Sequence, residues 1–186
     1  MSKTGLLLFI LGSIGLLAVS CEKEIPPIPD EVELITTVTY TLTPEGGGTP
    51  IVFRFEDLDG DGGNAPNIAG ATIDAKTTYD GALTLLNEQE SPAEDITEEI
   101  AEEDLEHQFF FQSDLAGLTV QYADSDSLGN PVGLATKIAG TTAGSDTLII
   151  ILRHEPNKSG SGVAEGDITN AGGETDIEVK FPITVR

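Results

Sequence analysis

Strict alternation of apolar and polar residues constrains the fold of this chain more than any other feature. In the stretch ELITTVTYTLT, residues 33–43, apolar side chains fall mostly at even positions and threonines mostly at odd positions. A period of two residues places successive side chains on opposite faces of a β-strand. A threonine-rich wet face suits a strand that is covered on one side only. We therefore expect a strand here with one face in the core.

The same period recurs along the chain and indicates an all-β domain. The further strand signals cover residues 51–56, 79–87, 107–112, 118–122, 132–138, 146–154 and 177–185. About eight strands with Gly-rich turns predict a mainly β fold, an antiparallel β-sandwich of the immunoglobulin-like kind. A small closed β-barrel is the alternative. Pro182 has no N–H to donate to a neighbouring strand, so the last strand is expected to lie at a sheet edge there.

One helix is expected to interrupt the strands. In SPAEDITEEIAEEDLEH, Ser91 can cap a helix, Pro92 suits the first helical position and Glu94 completes a capping box. Ile96 and Ile100 are one turn apart and can pack together on the sheet. The pattern predicts a short helix over residues 92–105.

The start of the chain predicts an export signal that ends at the only cysteine. Lys3 precedes an apolar run from Gly5 to Val19, which is shorter than the roughly 20 residues of a membrane span. Small residues precede Cys21, as at a signal cleavage site, and a single cysteine has no partner for an intrachain disulfide. The stretch resembles the bacterial lipoprotein signal, whose cysteine carries a diacylglycerol. An ordinary secretory signal with a chance cysteine and a signal anchor are the alternatives.

Cleavage before Cys21 divides the chain into three parts. Residues 1–20 form the signal, residues 21–33 the lipidated cysteine with an acidic, Pro-rich spacer, and residues 34–186 one domain, long enough to bury a core. The chain carries 32 Asp and Glu against nine Lys and Arg. This charge excludes nucleic acid as a partner and repels anionic headgroups, so the lipid on Cys21 is the expected link to the membrane. It suits solubility, cation binding or a basic protein partner.

The strongest local motif is the D-x-D-x-D-G pattern in EDLDGDGG. Asp57, Asp59 and Asp61 alternate and Gly62 permits a sharp turn, an arrangement that resembles the first half of an EF-hand-type calcium loop. The twelfth position is Ile68, where the EF-hand has a glutamate, so calcium would need a carbonyl or a distant acid as a further ligand. A solvated Asp-Gly turn is the alternative.

Two histidines hold equivalent places on separate strands. His107 shares a strand face with Phe109 and Phe111, and His154 ends a strand whose even positions are apolar. If the two strands pair antiparallel, the imidazoles meet at the rim of the core. A partial zinc or copper site would then have acids beside it; the candidates are Asp104, Glu106 and Glu155. The alternative is that both histidines are rim residues, hydrogen-bonded or exposed.

The remaining polar segments point to loops and not to catalysis. A second acidic turn over residues 124–130 is a weaker copy of the calcium pattern and is expected to be only a loop. Cys21 is taken by lipid, no GxSxG-type elbow is present, and carboxylates are too numerous to indicate a catalytic pair. We therefore expect no enzymatic activity. The Gly-rich stretch between the last two strands predicts a long loop that either faces a partner or is mobile.

Four phrases together resemble a family of small envelope lipoproteins from Bacteroidota-type bacteria. They are CEKE after the signal, FRFEDLDGDGGNAP, ITEEIAEEDLEHQFFF and LRHEPNKSGSGV…GDITNAGGETDIEV, and they span nearly the whole mature chain. Members often carry the label "type 1 periplasmic binding fold superfamily". That fold has two α/β lobes and about twice this length, whereas this chain reads β-rich, so we infer no sugar or amino-acid ligand.

The family is similar to accessory lipoproteins that accompany TonB-dependent outer-membrane receptors, and no catalytic residues come with it. The acids after Cys21 look like a surface-export signal of such bacteria, with a periplasm-facing anchor as the alternative. The sequence thus predicts a lipid-anchored, non-enzymatic outer-membrane module that helps a TonB-dependent receptor take up a nutrient or metal. A metal-binding envelope protein, using calcium, zinc or copper, and a structural or adhesin-like domain are the alternatives.

Overall fold

The computed structural model describes residues 33–60 and 62–186. The predicted signal peptide, Cys21, the spacer up to residue 32, and Asp61 lie outside these residues. Lipid anchoring at Cys21 therefore stays a prediction. In the described part of the chain, no helix has the length and apolar character that a membrane crossing requires.

The described residues form eleven strands and one α-helix. In chain order they are β1 (Thr37–Pro44), β2 (Ile51–Glu56), β3 (Asn67–Ala69), β4 (Ala71–Ile73), β5 (Thr78–Asn87), β6 (Glu94–Asp95), α1 (Ile96–Glu102), β7 (His107–Gln112), β8 (Leu118–Tyr122), β9 (Ala135–Gly140), β10 (Gly144–His154) and β11 (Glu174–Val185). All eight predicted strands are present. The three additional strands, β3, β4 and β6, have two or three residues each, too few for a period of two to be recognised.

The strands form two open sheets. The larger has the order β3-β2-β1-β5-β9-β8, with β6 also paired to β5, and the smaller has the order β4-β11-β10-β7. Neighbours are antiparallel except for β4, which runs parallel to β11. The predicted β-sandwich is confirmed, and the closed barrel is wrong for the described residues because each sheet ends in two edge strands.

The core lies between the two sheets and uses the face that the alternation predicts. Val38, Tyr40 and Leu42 on β1 are buried. The ring centroids of Phe53 on β2 and Phe181 on β11 are 5.6 Å apart, so each ring contacts the opposite sheet. Burying one such side chain contributes about 1.5–3 kcal/mol.

The last strand lies between β10 and β4 in the sheet but has no partner strand on one side over most of its length. It pairs with β10 along one side, and on the other side β4 joins only at Ile183–Val185. Pro182 comes just before that point. The predicted edge position of Pro182 is therefore confirmed.

The helix begins four residues later than predicted. Glu94 and Asp95 continue the extended backbone by pairing with the end of β5, so the chain turns helical only at Ile96. The carboxylate of Asp95 then caps the helix by accepting from the Thr97 N–H at 3.0 Å. The predicted cap at Ser91 is wrong, whereas Ile96 and Ile100 are buried as expected.

The long loop between β10 and β11 covers the outer face of the smaller sheet. Val163 and Ala171 in this loop are buried against Phe110 of β7 and Ile151 of β10. This cluster is separate from the core between the sheets. The loop is thus a packed layer of the domain.

Candidate metal site

The two histidines face each other across neighbouring strands. β7 and β10 pair antiparallel with His107 directly opposite His154, and the imidazole centroids are 4.7 Å apart with the rings tilted by 49°. The start of one strand lies beside the end of the other, which fulfils the condition under which the imidazoles were expected to meet. Both rings therefore sit at one end of the core.

A β-bulge brings Asp176 to the histidines. Leu152 of β10 is opposite Ile177 of β11, and Arg153 is opposite Thr175, so Asp176 is the extra residue between them. Strict alternation would place Asp176 on the outer face with Glu178. A bulge locally turns the strand and re-aims a side chain. Asp176 consequently lies at the histidines with its side chain only 4% exposed.

The three side chains converge on one small volume. The Asp176 carboxylate oxygens lie 3.7 Å from Nδ1 of His154 and 3.8 Å from Nε2 of His107. One potential ligand atom from each of the three residues lies within 4.8 Å of the other two. Asp176 was missed by sequence reasoning because its position indicates an exposed residue.

Glu33 adds a second buried carboxylate from the segment that precedes β1. Its Oε1 lies 3.7 Å from Nε2 of His107, and its side chain is 10% exposed. With Glu103 and His107 it forms a second grouping of potential ligands. No pattern in the sequence points to Glu33, which falls at the boundary of the predicted spacer.

The acids that were predicted to lie beside the histidines contribute less to the site than Asp176 and Glu33. Glu106 Oε2 is 3.9 Å from Nε2 of His154, but the Glu106 side chain is more than half exposed. The Asp104 carboxylate instead accepts from the Ser127 N–H at 3.2 Å. Glu155 belongs to neither grouping of potential ligands found among the described residues.

The cluster contains buried polar atoms that lack hydrogen-bond partners. Nε2 of both histidines, Oδ2 of Asp176 and Oε2 of Glu33 are all buried without a partner in the described structure. Such groups usually find a partner because leaving one unpaired costs about 1–3 kcal/mol. Four at one place indicate that the site accommodates something that pairs with them.

The orientation of His107 suits a metal ligand. Its Nδ1 lies 3.3 Å from the Glu103 carbonyl oxygen, so the Nδ1–H donates to that carbonyl and the Nε2 lone pair faces the carboxylates. Metal-bound histidines are commonly held in this way through the ring nitrogen that does not bind the ion. A lone pair opposite carboxylate oxygens is repulsive unless a cation or proton lies between them.

Burial shifts the protonation of the cluster away from charged forms. It lowers the pKa of His107 and raises the pKa of Asp176. Burial, followed by repulsion from Asp176, from Glu99 in α1 and from Glu103 directly after it, raises the pKa of Glu33 from 4.5 to about 7. Without an ion, the cluster thus disfavours both imidazolium at His107 and carboxylate at Glu33 and Asp176.

The predicted calcium loop is only partly described. Asp57 accepts from the Gly60 N–H at 2.9 Å, and Asp59 accepts from the backbone and side chain of Asn64. Both carboxylates thus stabilise the turn itself. Asp61 lies outside the described residues, and calcium binding at Asp57, Asp59 and Asp61 stays a prediction.

The second acidic turn has a structural role. Asp124 accepts from the backbone of Gly133 and Ala135, and Asp126 accepts from the backbone of Leu128 and Asn130. Its Oδ2 also pairs with the buried Lys158 at 3.1 Å. These contacts connect the loop to its surroundings.

Comparisons with known proteins do not assign a function to this chain. No family model and no curated protein matches this chain. A solved structure described as "Crystal structure of the S-layer protein SbsC domains 4 and 5" is similar at 15% identity and a TM-score of 0.30, over 78% of this chain and 75% of that one. At that TM-score the likeness carries no argument about function.

Proposed function

We propose that this protein is a lipid-anchored, non-enzymatic metal-binding module of the bacterial outer membrane. His107, His154 and Asp176 take a divalent transition-metal ion, zinc or copper. The observation that carries the proposal is the set of buried and unpartnered donor atoms on these three residues. A metal ion between these residues supplies the partner that Nε2 of His107 and Oδ2 of Asp176 lack, with Nδ1 of His154 facing the same carboxylate.

The donor set favours zinc or copper over calcium. Two imidazole nitrogens and a carboxylate suit zinc, copper, iron or nickel, whereas calcium takes oxygen ligands. Zinc holds its ligands at about 2.0–2.2 Å, and the Asp176 oxygens already lie 3.7 Å and 3.8 Å from the imidazole nitrogens. A small inward movement of these side chains is therefore enough to bind an ion. Three protein ligands leave a further position for water, which suits an ion that is captured and passed on.

The biological setting of this binding rests on the sequence. The lipoprotein-type signal ending at Cys21 supports anchoring in the outer membrane, and the resemblance to accessory lipoproteins supports assistance to a TonB-dependent receptor in metal uptake. The acidic surface attracts cations to the domain. Surface-facing and periplasm-facing orientations both fit this proposal.

Metal binding is tested on the lipoprotein purified in mild detergent and stripped with a chelator. Thermal unfolding is recorded with zinc, copper or calcium added separately. An ion at about 100 times its dissociation constant stabilises the fold by about 2.7 kcal/mol, which raises Tm by several degrees. We expect this rise for zinc or copper, its loss in His154→Ala and Asp176→Asn, and its retention in the exposed control Asp114→Asn.

Two results would contradict the metal proposal. One is that no transition metal raises Tm; the other is that His154→Ala and Asp176→Asn respond like the unsubstituted protein. A calcium response that depends on Asp59 would assign the metal to the D-x-D-x-D-G loop instead.

The receptor is tested by pull-down of the tagged lipoprotein in mild detergent, in which a TonB-dependent receptor is expected, and repeated failure would argue against that partner.

A further inference from the structure

A groove opens between the two sheets beside the candidate metal site. Its volume is about 560 Å³, and it is bounded by the segment before β1, the end of β2 and the start of β11. Binding sites for small molecules commonly measure about 300–1,000 Å³. The groove thus has the size of a small-molecule site and is far larger than one hydrated ion needs.

One wall of the groove is apolar. Ile35, Phe55 and Ile177 line it and are partly buried against the core between the sheets. Leu34, at 47% exposed, adds an apolar side chain that water contacts. This strip favours a ligand with an aliphatic body, because an inorganic ion leaves it wet.

The charged groups of the groove are all carboxylates. Glu33 and Asp57 line it, and Glu33 Oε2 is buried without a hydrogen-bond partner on a side chain that is nine-tenths buried. Glu178 at the rim is already paired with Lys180 at 2.8 Å. None of the residues that line the groove in the described structure is basic, so a carboxylate or phosphate ligand would meet only repulsion.

We propose that this groove binds a small organic ammonium ion with an aliphatic body, of the alkylamine or diamine class. An ammonium carries three N–H donors and a positive charge, which supplies the partner that Glu33 Oε2 lacks. The methylene chain lies along Phe55 and Ile177. A second ammonium at the far end of a diamine pairs with Asp57.

This site goes beyond the metal proposal and uses different residues. His107, His154 and Asp176 hold the ion, whereas Glu33, Asp57 and the apolar strip hold the ammonium. Asp176 also lines the groove, which places the two ligands side by side. Separate variants therefore distinguish the two sites.

The test compares three ligands of similar shape that are cationic, neutral and anionic. Isothermal titration of the chelator-treated lipoprotein uses 1,6-diaminohexane, the neutral 1,6-hexanediol and the anionic adipate. We expect saturable binding of one diamine per chain. Hexanediol is expected to bind more weakly by about ten-fold or more, because it lacks the charged hydrogen bond. Adipate is not expected to bind, because the carboxylates of the groove repel it. Glu33→Gln is expected to weaken the diamine by about ten-fold, and Asp57→Asn by a smaller factor. Glu90→Gln, at an exposed residue that does not line the groove, is the matched control and leaves binding unchanged.

The outcomes separate this inference from the metal proposal. No diamine binding, equal binding of hexanediol, or an unchanged affinity in Glu33→Gln would each overturn the ammonium site. Circular dichroism of Glu33→Gln verifies its fold, and its response to zinc is measured in parallel. His154→Ala is expected to lose zinc and keep the diamine. Zinc binding without diamine binding overturns this inference alone, and diamine binding without metal binding overturns the metal proposal alone.

Discussion

Replacing Glu33 by Gln should remove a pH dependence of stability that the buried cluster creates. The pKa of Glu33 is about 7 in the folded chain, against an ordinary value of 4.5. Between these two values the folded protein keeps a proton that the unfolded chain has already released. Since the folded state then binds more protons, the free energy of unfolding falls as the pH rises from about 4.5 to about 7.

The expected size of this loss follows from the shift in pKa. A shift of this extent corresponds to at most about 3 kcal/mol of unfolding free energy across the window, and residual water at the 10% exposed side chain reduces it. Asp176 acts in the same direction because its pKa is also raised. His107 acts oppositely, since its lowered pKa destabilises the fold as the pH falls below about 6.5.

Urea unfolding at several pH values between about 5 and 8 measures this effect, with chelator present so that no ion occupies the cluster. Glu33→Gln keeps the shape of the side chain without its titration. We expect the variant to gain stability relative to the unsubstituted protein by about 1–3 kcal/mol on going from acid to neutral pH. The exposed Glu90→Gln serves as control and should show no such gain. Parallel pH profiles for Glu33→Gln and the unsubstituted protein would refute the reasoning.

Three further substitutions test the packing. Lys158→Met leaves the buried Asp126 without its cation and should cost about 3–5 kcal/mol in urea unfolding; a cost below about 1 kcal/mol would show the pair to be solvated. Phe110→Ala should cost about 3–5 kcal/mol and speed hydrogen exchange in the loop covering the smaller sheet; unchanged exchange would contradict that packing. Gly81→Ala places a Cβ 2.5 Å from two buried hydroxyl oxygens, whereas Gly46→Ala meets nothing within 4 Å. We therefore expect a clearly lower Tm for Gly81→Ala alone, and equal melting of both would contradict it.

The strands were predictable because local sequence carries their signal. Alternation over 33–43 and 177–185 indicates which face is buried, so the mainly β fold was predictable from the period. The sandwich was the favoured arrangement of these strands, with the closed barrel left open. The pairing of His107 with His154 could be stated only as a condition, because the sequence places both at strand ends but does not say which strands are neighbours; the structure shows that they are. The helix start was not predictable, because Glu94 and Asp95 pair with a distant strand and stay extended.

The two carboxylates of the site could not be predicted from the sequence, for physical reasons. A β-bulge turns the Asp176 side chain to the face opposite to the one that the alternation predicts. A single extra residue of this kind cannot be recognised from the sequence of a Gly-rich acidic stretch. Glu33 precedes the first strand, where charge and proline indicate a solvated spacer. Tertiary structure alone brings these two acids to the histidines.

The placement of these groups is itself an argument for a ligand. The chain has 32 acidic residues, and solubility requires only that they face water. Two of them are instead buried opposite imidazole nitrogens without hydrogen-bond partners, at an electrostatic cost that a neutral side chain would avoid. Departures from local rules of this kind concentrate at functional sites. The cost disappears when a cation enters, and for that reason the end of the sandwich that holds His107, His154, Asp176 and Glu33 is where binding should first be sought.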